Sequence, residues 1–231
     1  MATKMKKEAI SEVEEIVIQK AKIENAIIVI EGDGDLVLNR MNAANERALI
    51  AVDRKKQALW EAQHVNLAEQ IITSMHWRDG LPIMGDNSDG LATNRECNMD
   101  MFENMLKNNA PCITAFGLKK SWCQAVVRNE IDKYSTKFDN AVNIVAPRGL
   151  VPITFATHFI DTRLMTPKRG APVTCRLNHF QGWKAEIPIS YTSHVYSISE
   201  IATIIDYSGF GLGVGSGRTS GYGRYHVVDI K

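Results

Sequence analysis

The sequence predicts an α+β chain whose core runs βαββαβ, the ferredoxin-like or RRM-like arrangement, with a helical insertion after the first strand and a β-hairpin thumb between the second and third. Three observations predict it. A β-branched run, Ala26-Ile-Ile-Val-Ile30, closes on Glu31-Gly-Asp-Gly-Asp35 and reads as a buried strand ending in a turn. The second half is dominated by strand patterns. Seven of the sixteen glycines fall within residues 209–223, after a helix-like segment and before a strand-like one.

Each element has its own local warrant. Ile10, Val13, Val17 and Ala21 recur at helical spacing behind Lys4, Lys6 and Lys7, although Ile16-Val17-Ile18 reads equally as a short strand; residues 1–25 form an N-terminal arm and 26–231 a domain. Residues 43–75 lack Gly and Pro and carry Leu49, Val52, Leu59, Trp60, Leu67, Ile71 and Ile72, which predicts one long helix or two shorter ones. Residues 76–96 have the Gly, Pro and Asp punctuation of a long loop, and a further helix covers 97–107. The insertion thus spans about 43–110. Pro111 leads into a helix over 115–134, with Phe116, Leu118, Trp122, Val126 and Ile131 facing the core. Leu150–Phe159 and Trp183–Tyr191 read as strands, with 160–182 between them as a protruding hairpin. Ser197-Ile-Ser-Glu200 is a helix start, Ser197 or Ser199 being the cap and Glu200 able to reach back in the Ser197 register. Ile201, Ile204 and Ile205 supply its buried face, and Tyr222–Ile230 is the closing strand.

Bulk properties bound the partners. The formal net charge is +1, so a surface for a polyanion requires local segregation of charge. Cys97, Cys112, Cys123 and Cys175 form no C-x-x-C pair, and the N-terminus lacks an apolar signal core, which together predict a reduced, cytoplasmic protein. No apolar run approaches the roughly eighteen residues of a membrane span. No Cys/His spacing suits zinc, and no cofactor is expected.

The glycine string matches neither G-x-x-x-x-G-K-[ST] nor G-x-G-x-x-G, and its order of helix, loop, strand reverses that of the phosphate loops. Glycines such as Gly211, Gly213, Gly215 and Gly217 let backbone amides approach a ligand, with Arg218 and Arg224 beside them to hold phosphates. A flexible connector is the other reading. Between His158 and Lys184 lie Arg163, Lys168, Arg169, Arg176 and Lys184 against one acid, Asp161, with Phe159, Phe180 and Trp183 interleaved. Cations for phosphates beside rings for bases make a sequence-tolerant single-strand surface; a solvated hairpin with core aromatics is the alternative. Lys119, Lys120 and Arg128 add a second strip on the 115–134 helix, where cations simply in water are the plainer reading.

A degenerate glycine string between the last helix and the last strand of such a core resembles the RAMP superfamily of CRISPR-associated proteins, and in particular its Cas7-like backbone subunits. The sequence is similar to small phage-encoded Cas7-like proteins through Ile30-Glu-Gly32, Asn39-Arg40, Ala115-Phe116 with Lys119-Lys120, Leu150-Val-Pro152 and Ser208-Gly-Phe-Gly-Leu-Gly213. The resemblance spans residues 26–230 and implies a helical insertion after the first strand, a thumb hairpin at about 158–184, and binding of single-stranded RNA or DNA along the backbone. It further implies copies lined up on the strand as a homo-oligomer or filament, with other CRISPR-like or phage replication proteins as partners. Asp33 and Asp35 lie where some Cas7-like subunits place an aspartate for metal-dependent RNA cleavage, and two such carboxylates can hold Mg²⁺; Gly-Asp-Gly-Asp is also good turn sequence, and the turn is preferred. His158 and His179, facing across the hairpin, would be the acid and base of a metal-independent ribonuclease of the Cas6 kind. The expectation is a binding protein without chemistry of its own. A metal-dependent endoribonuclease at Asp33 and Asp35 is the second reading, and an interaction or virion protein using the glycine loop for docking the third.

Overall fold

Ten residues, Ile23–Gly32, form β1, an interior strand of the larger sheet paired on both edges, and the alternation that buries Ile28 and Ile30 completely suits it to that place. The computed structural model describes residues 22–81, 97–165 and 173–231. The arm at 1–21, most of the predicted 76–96 loop, and Lys168 and Arg169 fall outside these residues. After β1 the turn at Asp33-Gly34 leads into a three-residue strand, β2 (Leu36–Leu38), buried throughout.

The 43–75 stretch is three helices rather than one or two: α1 (Ala43–Ile50), α2 (Arg54–Gln63) and α3 (Leu67–Thr73). Absence of Gly and Pro does not keep a helix whole when a capping residue competes. The side chains of Asn42, Asp53 and Asn66 each accept the amide three residues on, restarting the chain each time. What holds the three together is one buried ion cluster. Arg47 donates from Nε and Nη2 to Glu61 at 2.8 and 2.9 Å, and from Nη1 and Nη2 to Glu69 at 2.8 and 2.9 Å. Two forked contacts satisfy the guanidinium, and removing it would leave two buried carboxylates facing each other.

A two-residue β3 (His76–Trp77) follows, then α4 (Met99–Asn108), capped by Asn98 and burying Phe102 and Met105. β4 (Pro111–Thr114) runs straight into α5 (Ala115–Arg128), whose first turn is capped by Thr114. α5 buries Leu118, Trp122, Ala125 and Val126, but Phe116 stands out of the surface at 76% exposure, and Ile131 lies beyond the helix end. The expectation of a core-facing Phe116 is corrected here: the buried stripe repeats from Leu118, and Phe116 precedes it on the other side of the first turn. α6 (Thr136–Ala141), β5 (Val142–Ile144) and β6 (Leu150–Thr154) come next. The predicted strand from 150 to 159 breaks after Thr154, and the chain changes sheets.

The hairpin consists of β7 (Thr157–Met165) and β8 (Val173–Gln181); β8 also pairs with β2, giving a three-stranded second sheet. β9 (Lys184–Thr192) returns to the main sheet, α7 (Ile198–Gly211) starts on a complete capping box between Ser197 and Glu200, and β10 (Tyr225–Ile230) closes the chain. In the main sheet the order is β10-β1-β9-β6-β4-β3, with β5 joining β9 beyond β6. All its pairings are antiparallel, Ile30 standing opposite Ala185 and Ile28 opposite Ile187. The protein is a mixed α/β chain with a mainly antiparallel sheet. No helix among the described residues is long and apolar enough to cross a membrane.

The glycine string begins inside a helix, since Gly209 and Gly211 belong to α7, and the other five of its seven glycines follow it. A buried polar chain pins its start. Trp122 donates from Nε1 to the Tyr225 hydroxyl at 3.1 Å, that hydroxyl meets Ser208 at 3.1 Å, and Ser121 bonds both Ser208 and the Gly213 carbonyl. Burial pushes the Tyr225 phenol up to about 12, so it stays protonated and available as a donor. The loop then folds onto the rest of the protein. Val214 N–H donates to Gly223 O, Gly223 N–H to Asp35 O and Ser216 N–H to Val37 O, at 2.8 to 2.9 Å. The amides of Gly213, Val214, Ser216 and Gly223 are thus bonded inside the molecule, and the segment is packed against β2 and the turn before it.

Candidate functional site

Folding the glycine loop against β2 creates a cleft of about 220 Å³ where four segments meet: the exit of β2, the turn before β3, the start of α5, and residues 214–218. Local bonds hold each wall. Ser216 Oγ donates to Asn39 O at 3.0 Å, and Arg40 N–H to Ser74 O at 2.8 Å. Thr114 accepts the Gly117 amide at 3.1 Å, and a Cβ at Gly117 would sit 2.9 Å from that hydroxyl oxygen, so the first turn of α5 is kept bare where it faces the opening.

Arg40, Lys120 and Arg218 line this cleft together with His76, and none of the described residues lining it is acidic. In a chain with a net charge of +1, three cations without a carboxylate are a local concentration of positive potential. Arg40 lies 3.4 Å from Glu46 with both side chains more than a third exposed, which leaves the pair weak and screened. The start of α5, a fourteen-residue helix with no acid in its first turn, adds the positive end of its dipole. Burial, and then the neighbouring Arg40 guanidinium, holds the His76 imidazole below its ordinary range, so it is neutral at pH 7 and becomes a fourth cation on acidification. Lys120, which lines the cleft, holds its Nζ 5.8 Å from the centre of the exposed Phe116 ring. The arrangement suits an anion with a flat group attached.

Of the residues singled out from sequence, Lys120, Gly215 and Arg218 come together in this cleft. Arg40 and Phe116 belong to motifs of the family resemblance only, and His76 carries no functional signal in the sequence; the glycine loop joins them through the Ser216–Asn39 bond, 177 positions apart. The hairpin residues separate instead. Arg163 stands opposite Cys175 and Arg176 opposite Thr162, so by the two-residue period the two arginines lie on opposite faces. Arg163 bonds Asp161 and the Tyr222 hydroxyl, Arg176 donates to Gln70 Oε1 at 2.6 Å, and Lys184 pairs with Glu31 at 2.9 Å. Lys119 turns inward, donating to Asp139 O at 2.7 Å and also bonding Val142 O. Arg224 also turns in, with Nη2 3.5 Å from Arg218 O.

The base-stacking roles expected of Phe180 and Trp183 are corrected: both rings are completely buried. Trp183 donates from Nε1 to Gly34 O at 3.0 Å and sits where a Cβ on Gly32 would be, so it locks the turn after β1. The aspartates of that turn diverge. Asp33 meets His226 Nδ1 at 2.6 Å, while Asp35 meets His179 Nδ1 at 3.1 Å and accepts from Gln181 at 3.0 Å. Each carboxylate thus has a histidine partner of its own, and no group of three His, Cys, Asp or Glu among the described residues is placed to hold a metal. His158 stands opposite Phe180 and His179 opposite Phe159, which sets the two histidines on opposite faces of the hairpin rather than facing each other as an acid and base pair.

Fold and cleft together define a mixed α/β protein with a basic pocket beside a glycine-rich loop. No family model and no curated protein matches the chain. Among solved structures it is similar to a chain in the cryo-EM structure of the Type III-B Cmr-beta bound to cognate target RNA, at 12% identity and a TM-score of 0.43 over 91% of this chain and 60% of that one. It is also similar to the crystal structure of Cmr6 from Pyrococcus furiosus, at 10% identity and a TM-score of 0.34 over 90% of this chain and 98% of that one. The chain thus spans about 60% of the length of the first of these, and likenesses at this level assign no family.

Proposed function

We propose that this chain binds single-stranded nucleic acid through its phosphates, with a phosphate in the cleft at the start of α5 and an adjoining base on the Phe116 ring. The convergence of Arg40, Lys120 and Arg218 without a carboxylate is the observation that supports it most. Phosphate neutralisation supplies affinity without reading sequence, and stacking accepts any base. The finer reading is a RAMP, Cas7-like protein on a ferredoxin-like core, supported by two features: β9 and β10 flank β1 in the main sheet, and the glycine loop joins α7 to β10. Single-stranded RNA or DNA is its partner and copies of the chain line up along it as a homo-oligomer. The reading assigns no catalytic step.

Anisotropy of a labelled oligo(U) 12-mer, measured from 50 to 300 mM salt, tests it. Three phosphates neutralised on a single strand give a log–log salt slope of about −2, at about −0.7 each. Duplex of the same length is expected to bind more weakly. A flat salt response, or a preference for duplex, would overturn the proposal. Phe116→Ala is expected to weaken binding at least about 5-fold while leaving the melting temperature unchanged, since a stacked base contributes roughly 1–3 kcal/mol and the ring is exposed.

His76 gives the site a pH dependence with a definite sign. Its folded value lies below the ordinary 6.5, so the folded state binds fewer protons than the unfolded one. Its contribution to stability is therefore complete above about pH 7 and is lost as the pH falls through 6.5 towards the folded value. Binding of a polyanion moves the other way, because protonation adds a cation to the cleft. Between pH 7.5 and 5.5 the parent is expected to lose melting temperature and gain oligo(U) affinity, and His76→Gln to show less of both. Identical responses in parent and variant would remove His76 from the cleft's chemistry.

A further inference from the structure

The cleft opens at Asn39 and Arg40 into a second, larger groove of about 700 Å³ between α1, α2 and β8. Its character differs from the cleft. The floor includes Ala44, Ala48, Ala58 and Ala62, the sides present the carboxamides of Asn45 and Gln70, and Arg176 stands on the β8 side. Glu61, which also borders it, is engaged by Arg47 and accepts from Gln57 at 2.8 Å. Alanines leave room for a flat ring, and the Asn45 carboxamide and the Gln70 amide group, whose oxygen is held by Arg176, are polar groups for its edge that carry no charge of their own. A groove of that volume holds more than one base, and among the described residues the wall it shares with the phosphate cleft is the pair Asn39–Arg40.

We infer that this groove takes the unpaired bases of the strand whose phosphates occupy the cleft, with Arg40 at the point where backbone and bases part. The inference rests on the proposed function and deepens it: the ligand class becomes a strand with exposed bases rather than any polyanion, and the helical insertion becomes part of the binding surface. Duplex is disfavoured by the same geometry, since a paired base must first unpair and unstack before it can enter a groove beside the backbone.

Oligo(dT) 12-mer and an abasic 12-mer with the same phosphodiester backbone carry equal charge and differ only in bases. The parent is expected to bind oligo(dT) at least about 10-fold more tightly. Ala58→Trp, an exposed position on α2 where a large side chain narrows the groove without crowding the core, is expected to remove most of that advantage while leaving the abasic affinity unchanged. Ala62→Trp, exposed one turn further along, serves if the first variant melts early. Equal affinity of the parent for both strands would overturn the inference, as would tryptophan variants that retain the full advantage or weaken both strands alike. If the parent binds the abasic strand with steep salt dependence, the phosphate cleft stands even when the groove falls. If it binds neither, both fall.

Discussion

Gly223→Ala is expected to lower the stability of the fold by more than about 3 kcal/mol, the largest effect of any single methyl added to the glycine string. Its φ of +69° is strained for a residue with a side chain, at roughly 1–3 kcal/mol, and the added Cβ would lie 1.9 Å from the Val214 carbonyl oxygen, a backbone atom that cannot swing aside. Gly221, at φ +87° with nothing within 4 Å, carries the strain without the clash and is expected to lose only about 1 kcal/mol as alanine. Gly211 is helical with open space around it, so alanine there is expected to be neutral or slightly stabilising. Urea unfolding midpoints of the three variants rank these cases. A Gly223→Ala protein within 1 kcal/mol of the parent would show that the loop is not packed as described. The series also changes how binding data on this loop are interpreted. A Cβ at Gly215 would meet Val37 O at 2.6 Å and one at Gly213 would meet Gly223 O at 2.7 Å, so bulky variants there report on folding before they report on ligand.

Reversing charge in the cleft is expected to have the largest effect on function. Lys120→Glu with Arg218→Glu should weaken oligo(U) binding at 50 mM salt by about 100-fold or more and flatten the log–log salt slope by about 1.4, two lost phosphate contacts at about 0.7 each. No ion pair among the described residues holds either cation, so the melting temperature is expected to stay within a few degrees of the parent. Lys119→Glu is the contrasting variant. Lys119 bonds the carbonyls of Asp139 and Val142 and lies 3.3 Å from the Asp139 carboxylate, so its loss should cost stability and leave the salt slope unchanged. A double variant that binds like the parent would remove the cleft from the binding surface, whatever the rest of the molecule does.

These two adjacent lysines show where sequence reasoning reaches its limit. The sequence reading grouped both in one basic strip on the helix, and it could not tell that the carbonyls of Asp139 and Val142 would take one of them. The hairpin teaches the same lesson. Five cations and three aromatic residues between 158 and 184 look like one surface when read in a row, yet the strand period sends Arg163 and Arg176 to opposite faces and the second sheet buries Phe180. The two-residue strand period alone could have warned of this, since successive residues of a strand cannot share a face.

Local chemistry was legible without any coordinates. The Ser197–Glu200 capping box, the buried first strand ending in its aspartate turn, the helix beginning near Ala115 and the position of the glycine string all follow from interactions within a few residues of chain, and they appear where the sequence put them. The three-way split of residues 43–75 was legible too, through Asp53 and Asn66, but was masked by the lack of Gly and Pro. The meeting of Arg40, Lys120 and Arg218 was not. It depends on Ser216 reaching Asn39 across 177 positions of sequence and on Ser121 reaching the Gly213 carbonyl across 92, contacts that no periodicity encodes. Spacing along a helix or strand fixes which side chains share a face of that element. Which other element comes to cover or complete the face is decided only when the whole chain packs, because that choice minimises the exposed apolar surface and unpaired polar groups of all segments at once.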